Sequence, residues 1–187
     1  MFEAAWELLL EQGFEGFTFD KLAKQARIGK PTIYARFSNK EEFLRALLER
    51  RIMGYQEEVT ALAEDMSFRD VLTLMAMRVV VKFLSDEGRL MDRLIDWLEY
   101  EGDPSKPSMR KWAFESARNR GEAIITAAVE RGEIVISDIP LAAQTFLEGI
   151  IGHARMSQVR EPTNLEPHQR WAETYVAVIL RAFDGRP

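Results

Sequence analysis

The stretch Gly16–Phe37 constrains this chain more than any other. Phe19, Leu22, Ala23 and Ala26 recur at i, i+3, i+4 and i+7, which lays them on one buried stripe of a short helix. Thr18 is placed to cap that helix, because its side-chain oxygen can accept an unpaired amide of the first turn. Arg27-Ile28-Gly29 forms a turn with Ile28 as its apolar plug, and Lys30-Pro31 opens a second helix, whose first turn tolerates proline. With Ile33 and Phe37 facing inward, Thr32, Ala35 and Arg36 point out. Two short helices about such a turn, with a polar and cationic outer face, make a helix-turn-helix over 18–37. Its second helix can enter a DNA major groove.

From Lys21 to Lys40 the chain holds six cations, Lys21, Lys24, Arg27, Lys30, Arg36 and Lys40, and no Asp or Glu. The whole chain has a net charge of −5. A basic island in an acidic protein fits the phosphate backbone of nucleic acid as its partner. The alternative is a solvated helix face that merely lacks acids.

The run Phe14-Glu15-Gly16-Phe17-Thr18, then Leu22-Ala23-x-x-Ala26, then Thr32-Ile33-Tyr34-x-x-Phe37-x-x-Lys40-Glu41-x-Phe43-Leu44 resembles the N-terminal domain of the TetR/AcrR family of transcriptional regulators. The resemblance runs without a gap from about Phe2 to Glu49. Three positions depart from the family pattern. Arg27 stands where glycine is common, Gly29 where a Ser or Thr usually caps the second helix, and Pro31 where glycine is frequent. The short basic arm that family members carry ahead of the first helix is not seen before Phe2.

The rest of the chain reads as helices. Phe2, Ala5, Trp6 and Leu9 make residues 1–12 an amphipathic helix that Gly13 ends. Ser38 or Asn39 caps the next, where Leu48, Ile52, Tyr55, Val59, Leu62 and Met66 imply one helix of about 25 residues, roughly 38 Å long. Gly54 in its interior marks a close contact, a pivot or plain tolerance. Ser67-x-x-Asp70 resembles a capping box, and the helix it opens, to about Asp86, is apolar nearly all round and so expected to be central and buried. Its mid-helix charges, Arg78 and Lys82, are placed to pair with Asp92 or Asp96, to reach solvent, or to counter an anionic ligand. Residues 89–100 form a further helix with Asp92, Asp96 and Glu99 on a solvated face. The loop 102–107 precedes a long helix that reaches Arg131 and ends at Gly132. Asp138-Ile139-Pro140 opens another through Met156, and a Pro-bearing loop from Glu161 to Pro167 leads to the last helix, Trp171 to Phe183. Ile134–Ile136 is too short for a strand. The fold class is all-α with about nine helices: a three-helix DNA-binding domain over 1–48 and a helical domain over 49–187.

The absence of cysteine excludes disulfides, thiolate metal sites and thiol catalysis, and makes a reducing cytoplasm the simplest location. No run approaches the roughly 18 apolar residues of a membrane span, and Glu3, Glu7 and Glu11 interrupt any signal-peptide reading of the first helix. No nucleophile elbow or phosphate-binding glycine loop occurs. His153 and His168 fall in different elements, His168 in a Pro-bearing loop, and no carboxylate stands at ligand spacing beside either. No catalytic residue, metal or cofactor is expected, and the chain does not read as an enzyme.

The resemblance implies a homodimer that reads a palindromic operator in double-stranded DNA as a repressor and is released by a small-molecule effector. Carried over by position, Thr32, Ala35 and Arg36 face base edges, Lys30 and Tyr34 meet bases or flanking phosphates, and Thr18, Lys21, Arg27 and Lys40 hold the backbone. The effector domain offers Met75, Val79, Phe83, Trp97, Trp112 and Phe114 as linings for an apolar or aromatic ligand, although each also suits a core. The dimer seam implied by the last two helices holds Phe146, Gly149, Ile150, His153, Tyr175 and Ile179. The rival reading is an all-α ligand-binding or interaction protein whose helix-turn-helix no longer binds DNA.

Overall fold

A computed structural model describes residues 1–61, 66–157 and 164–185. In chain order its helices are α1 (Phe2–Gln12), α2 (Phe19–Ala26), α3 (Lys30–Tyr34), α4 (Lys40–Ala61), α5 (Phe68–Leu84), α6 (Asp86–Tyr100), α7 (Met109–Glu130), α8 (Ile139–Met156) and α9 (Glu166–Ala182). The fold is all-α; among the described residues the β structure amounts to one isolated bridge, Ile136 to Asp184. No helix among them is long and apolar enough to cross a membrane. The chain divides into two compact units, Met1–Gly54 with Asp86–Ala113, and Tyr55–Ser85 with Phe114–Pro187.

The first unit is built on residues that the helical periodicity sends inward. Trp6, Leu9, Phe17, Leu22, Ile33, Phe43, Leu44 and Leu47 are all at most 2% exposed, and each such side chain contributes about 1.5–3 kcal/mol by leaving water. Phe17 stacks on Phe43 at 5.8 Å, with Phe19 edge-on to Phe43 at 5.6 Å. The same core takes Leu90, Leu94 and Leu98 from α6.

Local chemistry explains the helix ends. Thr18 accepts the Lys21 amide at 3.3 Å. Asn39 caps α4 through the Glu42 amide at 2.9 Å, and Glu42 returns to the Ser38 amide at 2.8 Å. α2 closes on Arg27, whose backbone is left-handed at φ 52, ψ 44. The Arg27 amide bonds Lys24 O at 3.3 Å and the Ile28 amide bonds Ala23 O at 3.0 Å. Glycine usually holds that position, so a β-carbon there carries about 1 kcal/mol of strain.

Two carboxylates tie the first unit's later segments down. Glu41 accepts from Arg45 Nε and from the Asp103 amide, both at 3.0 Å, while Arg45 reaches Pro107 O at 2.9 Å. Burial alone would raise the Glu41 pKa, yet Arg45, the Asp103 amide and Lys106 together hold it below the usual carboxylate value. Glu99 accepts from Ser108 Oγ at 3.1 Å and the Arg110 amide at 3.0 Å, which caps the start of α7. Arg110 in turn binds Asp92 at 3.2 Å and also Asp96. The acids of α6 are therefore a clamp on the start of α7 rather than a merely solvated face.

Several element boundaries differ from the sequence reading. α4 has 22 residues and does not reach Met66, which lies in a bend; Leu62, Glu161 and the side chain of Val59 lie outside the described residues. A β-carbon on Gly54 would meet nothing within 4 Å, so close packing is not the reason for that glycine. α6 begins at Asp86, ahead of residue 89, and α9 begins at Glu166. Pro167 and His168 thus lie in a helical first turn, which proline suits, and not in a loop.

In the second unit α5 packs against α8 and α9. Phe68, Val71, Leu72, Met75, Ala76, Val80 and Leu84 are buried, but Val81 is 40% exposed, so α5 is covered along a broad stripe and not all round. Ser67 and Asp138 cap α5 and α8 through the Asp70 and Leu141 amides at 3.3 and 3.0 Å. Gly132, at φ 73, closes α7 with the two-bond motif that favours glycine: its amide bonds Val129 O at 2.9 Å and the Glu133 amide bonds Ala128 O at 3.0 Å.

Candidate nucleic-acid interface

Ile33 decides what α3 can present. Its side chain is 0% exposed, and locking it inward leaves Thr32, Ala35 and Arg36 on the outer side, all exposed. The helical bonding continues past Tyr34: the Ala35 amide bonds Pro31 O at 2.8 Å, and the Arg36 and Phe37 amides both bond Ile33 O at 3.0 Å. Tyr34 is 56% exposed, with its ring edge-on to Phe19 at 5.3 Å. Thr18, Lys21, Arg27 and Lys30 are also exposed, whereas Lys40 is half-buried.

The six cations are not equivalent. Lys21 donates to Gln12 Oε1 and Gly16 O, both at 2.8 Å, so it bridges α1 to the turn before α2. Lys30 pairs with Asp20 at 2.6 Å. Lys40 Nζ sits 3.8 Å from the centre of the Phe14 ring and donates to Phe14 O at 3.2 Å. Burial lowers its pKa, with the charge of Glu15 acting in the opposite direction. The side chains of Lys24, Arg27 and Arg36 have no partner among the described residues. A charge count over 21–40 cannot separate these cases, because Asp20 and the accepting carbonyls lie outside what it weighs. Of the residues on the outer side of α3, Arg36 carries the group best suited to read a base, since a guanidinium can grip guanine O6 and N7 together.

The six residues suggested as an effector lining do not share one unit. Trp97 and Trp112 pack on the core of the first. Met75 is in the core of the second, with Val79 and Phe83 packed against it, and Phe114 falls in the second unit. A cleft in the second unit is lined by Arg69, Ile134, Val135, Ile136, Leu180, Arg181 and Asp184, and none of the six is among them.

The residues suggested for the dimer seam divide in two. Phe146, Ile150 and Ile179 are at most 6% exposed in the protomer's own core, so they are already covered without a partner. Gly149, His153 and Tyr175 are only partly buried and share faces with Met156 on α8 and with Trp171 and Val178 on α9, at i, i+3, i+4 and i+7 spacings. Met156 is 89% and Val178 55% exposed.

His153 and His168, which the sequence sets apart, meet. His153 Nε2 and His168 Nδ1 are 3.1 Å apart. His153 lies flat on Trp171 at 3.7 Å, Trp171 on Tyr175 at 4.9 Å, and Tyr175 on Phe146 at 6.1 Å. Burial, and then the charge of His168, lower the His153 pKa. Nothing in the local sequence pattern signals this ladder; it exists because α8 and α9 pack side by side, with the two histidines where the last turn of α8 meets the first turn of α9.

With this geometry in view, known proteins narrow the reading. Residues 2–47 match the family described as bacterial regulatory proteins, tetR family. The uncharacterized HTH-type transcriptional regulator YdeS of Bacillus subtilis (strain 168) is 28% identical over 144 residues, 70% of this chain and 64% of that protein. The HTH-type transcriptional repressor NemR of Escherichia coli (strain K12) is 28% identical over 128 residues, 67% of this chain and 63% of that protein. These matches therefore span less than two thirds of the length of the relatives. The reduced form of Escherichia coli NemR superposes with a TM-score of 0.67 at 19% identity, covering 100% of this chain and 97% of that one. A transcriptional regulator FadR from Bacillus subtilis, solved with stearoyl-CoA, gives 0.64 at 21% identity, covering 96% and 95%. The structural likeness is one of fold, whereas the N-terminal match rests on sequence: residues 2–47 form a domain that matches the tetR family of bacterial regulatory proteins.

Proposed function

We propose that this protein is a homodimeric transcriptional repressor that reads a palindromic DNA operator through residues 30–36 and is released by a small effector. The observation that carries the reading is the outer side of α3. Thr32, Ala35 and Arg36 are exposed there behind a fully buried Ile33, and the Arg36 guanidinium has no partner among the described residues. Residues 1–48 serve as the reading domain, with Lys24 and Arg27 as the cations best placed to meet phosphates. Residues 49–187 serve effector binding and self-association.

Self-association uses the Gly149–His153–Met156 side of α8 and the Trp171–Tyr175–Val178 side of α9. It is supported by large apolar side chains left exposed on both helices. A ligand-responsive role is supported by the likeness to FadR, solved with stearoyl-CoA, and repression by the likeness to NemR. The effector is apolar or aromatic. Met75, Val79 and Phe83, at i, i+4 and i+8 along α5, are its proposed contacts, with Phe114 of the same unit.

The test is fluorescence anisotropy with duplexes tiled across the DNA beside the coding region, at two salt concentrations. Tight binding to one short palindrome, far above competitor DNA and lost on Arg36→Ala, is the expected result. Equal weak binding to every duplex that vanishes as salt rises would leave only the phosphate contribution and overturn operator reading. No binding at all would favour an interaction protein with a helix-turn-helix that no longer holds DNA.

A further inference from the structure

The meeting of α8 and α9 assembles two imidazole nitrogens that DNA reading does not use. We propose that His153 Nε2 and His168 Nδ1 form a bidentate site for a divalent ion of the late first transition series, such as Zn2+ or Ni2+, with water completing the coordination. Imidazole is a preferred ligand for these ions. Metal–nitrogen bonds of about 2.0–2.1 Å place two ligand nitrogens roughly 3.3 Å apart in a tetrahedral shell and roughly 2.9 Å apart in a square one. The observed separation is 3.1 Å, between those limits. The two rings cross at 77° with their centres 5.3 Å apart, so they meet at their edges without blocking each other.

Both ligands are held in place beforehand. His153 is clamped flat on Trp171, 3.7 Å away at an interplanar angle of 5°, and His168 sits in the helical first turn of α9. Pre-ordered ligands lose little freedom on binding. Neutral imidazole is the form that ligates. The inter-ring hydrogen bond uses the same two nitrogens but needs a proton between them. The ion replaces that proton, so ion and proton compete.

No group of three or more His, Cys, Asp or Glu that could hold a metal is found among the described residues. Two imidazoles alone leave coordination positions for water, unlike a closed four-ligand structural zinc centre. Mg2+, which prefers oxygen ligands, is excluded. A bound ion staples the last turn of α8 to the first turn of α9. This inference is independent of the DNA-reading proposal.

Full-length, chelator-treated protein is titrated with ZnCl2 and NiCl2 by calorimetry, with MgCl2 as control. One Zn2+ or Ni2+ per chain is expected, with affinity falling as pH drops from 7.5 to 6 and falling at least tenfold in His168→Gln. His153→Gln, checked for native helicity, is the second variant and loses the same affinity. Ni2+ is expected to quench tryptophan fluorescence in the native protein, and Trp171→Phe to lose most of that quenching while still binding the ion. Absence of saturable binding to millimolar concentration overturns the site. So does binding unchanged in both histidine variants, or quenching that survives in Trp171→Phe.

Discussion

The hydroxyl of Tyr175 lies 2.0 Å from where a β-carbon on Gly149 would stand, and it donates to Thr145 O at 2.6 Å. Only glycine lets that ring cross α8 between Phe146 and Trp171. Gly149→Ala forces a ring stacked on both sides out of its place, and overpacking of this kind costs about 1–3 kcal/mol. The urea midpoint of the variant falls accordingly. An unchanged midpoint would mean that the α8–α9 stack adds nothing to stability.

Gly54→Ala has the opposite sign. Gly54 lies within α4, and a β-carbon there meets nothing within 4 Å. Removing a helix-interior glycine gains about 0.5–1 kcal/mol, read as a raised urea midpoint. A loss of stability would show that α4 needs the backbone freedom of glycine at this point.

Arg27→Gly separates stability from DNA affinity. The left-handed backbone at Arg27 suits glycine, so the variant is expected to be more stable by about 0.5–1 kcal/mol. It also removes a cation with no partner of its own in the protein. If Arg27 holds a phosphate in the complex, the slope of log affinity against log salt shrinks by about 0.9. Discrimination between duplexes stays the same, because phosphate contacts carry no sequence information. A changed sequence preference would move Arg27 from the backbone to the bases.

Lys40→Ala and Arg36→Ala report different roles. The ammonium of Lys40 already serves the Phe14 ring and carbonyl, so its loss lowers stability by about 0.5–1 kcal/mol and changes sequence discrimination little. Arg36→Ala leaves stability within about 0.5 kcal/mol, as surface substitutions usually do. It costs about 1–3 kcal/mol of discrimination at the base that Arg36 grips. Denaturation and competition anisotropy on both variants check the pair; equal loss of discrimination would show that Lys40 leaves Phe14 to read a base.

What the sequence makes legible here is local. The Thr18 cap, the inward Ile33 and the outward Arg36 each follow from residues within a turn or two, where helical periodicity is a sufficient guide. Features set by which helix meets which are not legible in this way. Arg110 finds Asp92 and Asp96, Glu41 finds the Asp103 amide, and His153 finds His168 only after packing. The same limit explains the seam residues. Phe146, Ile150 and Gly149 all lie within two turns of α8, and only the position of α9 decides which of them enter the protomer's core.

Acid sensitivity should appear in the histidine range as well as the carboxylate range. The unfolded chain protonates His153 near 6.5, while burial and His168 hold the folded value lower. Between those two values the unfolded state binds more protons, so stability rises with pH and is lost as pH falls from about 7 through the folded pKa. Glu41 and Glu99 also have lowered values in the fold, but their stabilisation is lost only on acidification through the carboxylate range, below about 4.5. Urea unfolding at pH 7.5, 6.5 and 5.5, with chelator present to remove metal ions, therefore gives a declining series for the native protein. His153→Gln starts lower, having lost its imidazole stack on Trp171, but declines less steeply. Identical slopes in the two proteins would mean that His153 titrates alike in the folded and unfolded chain.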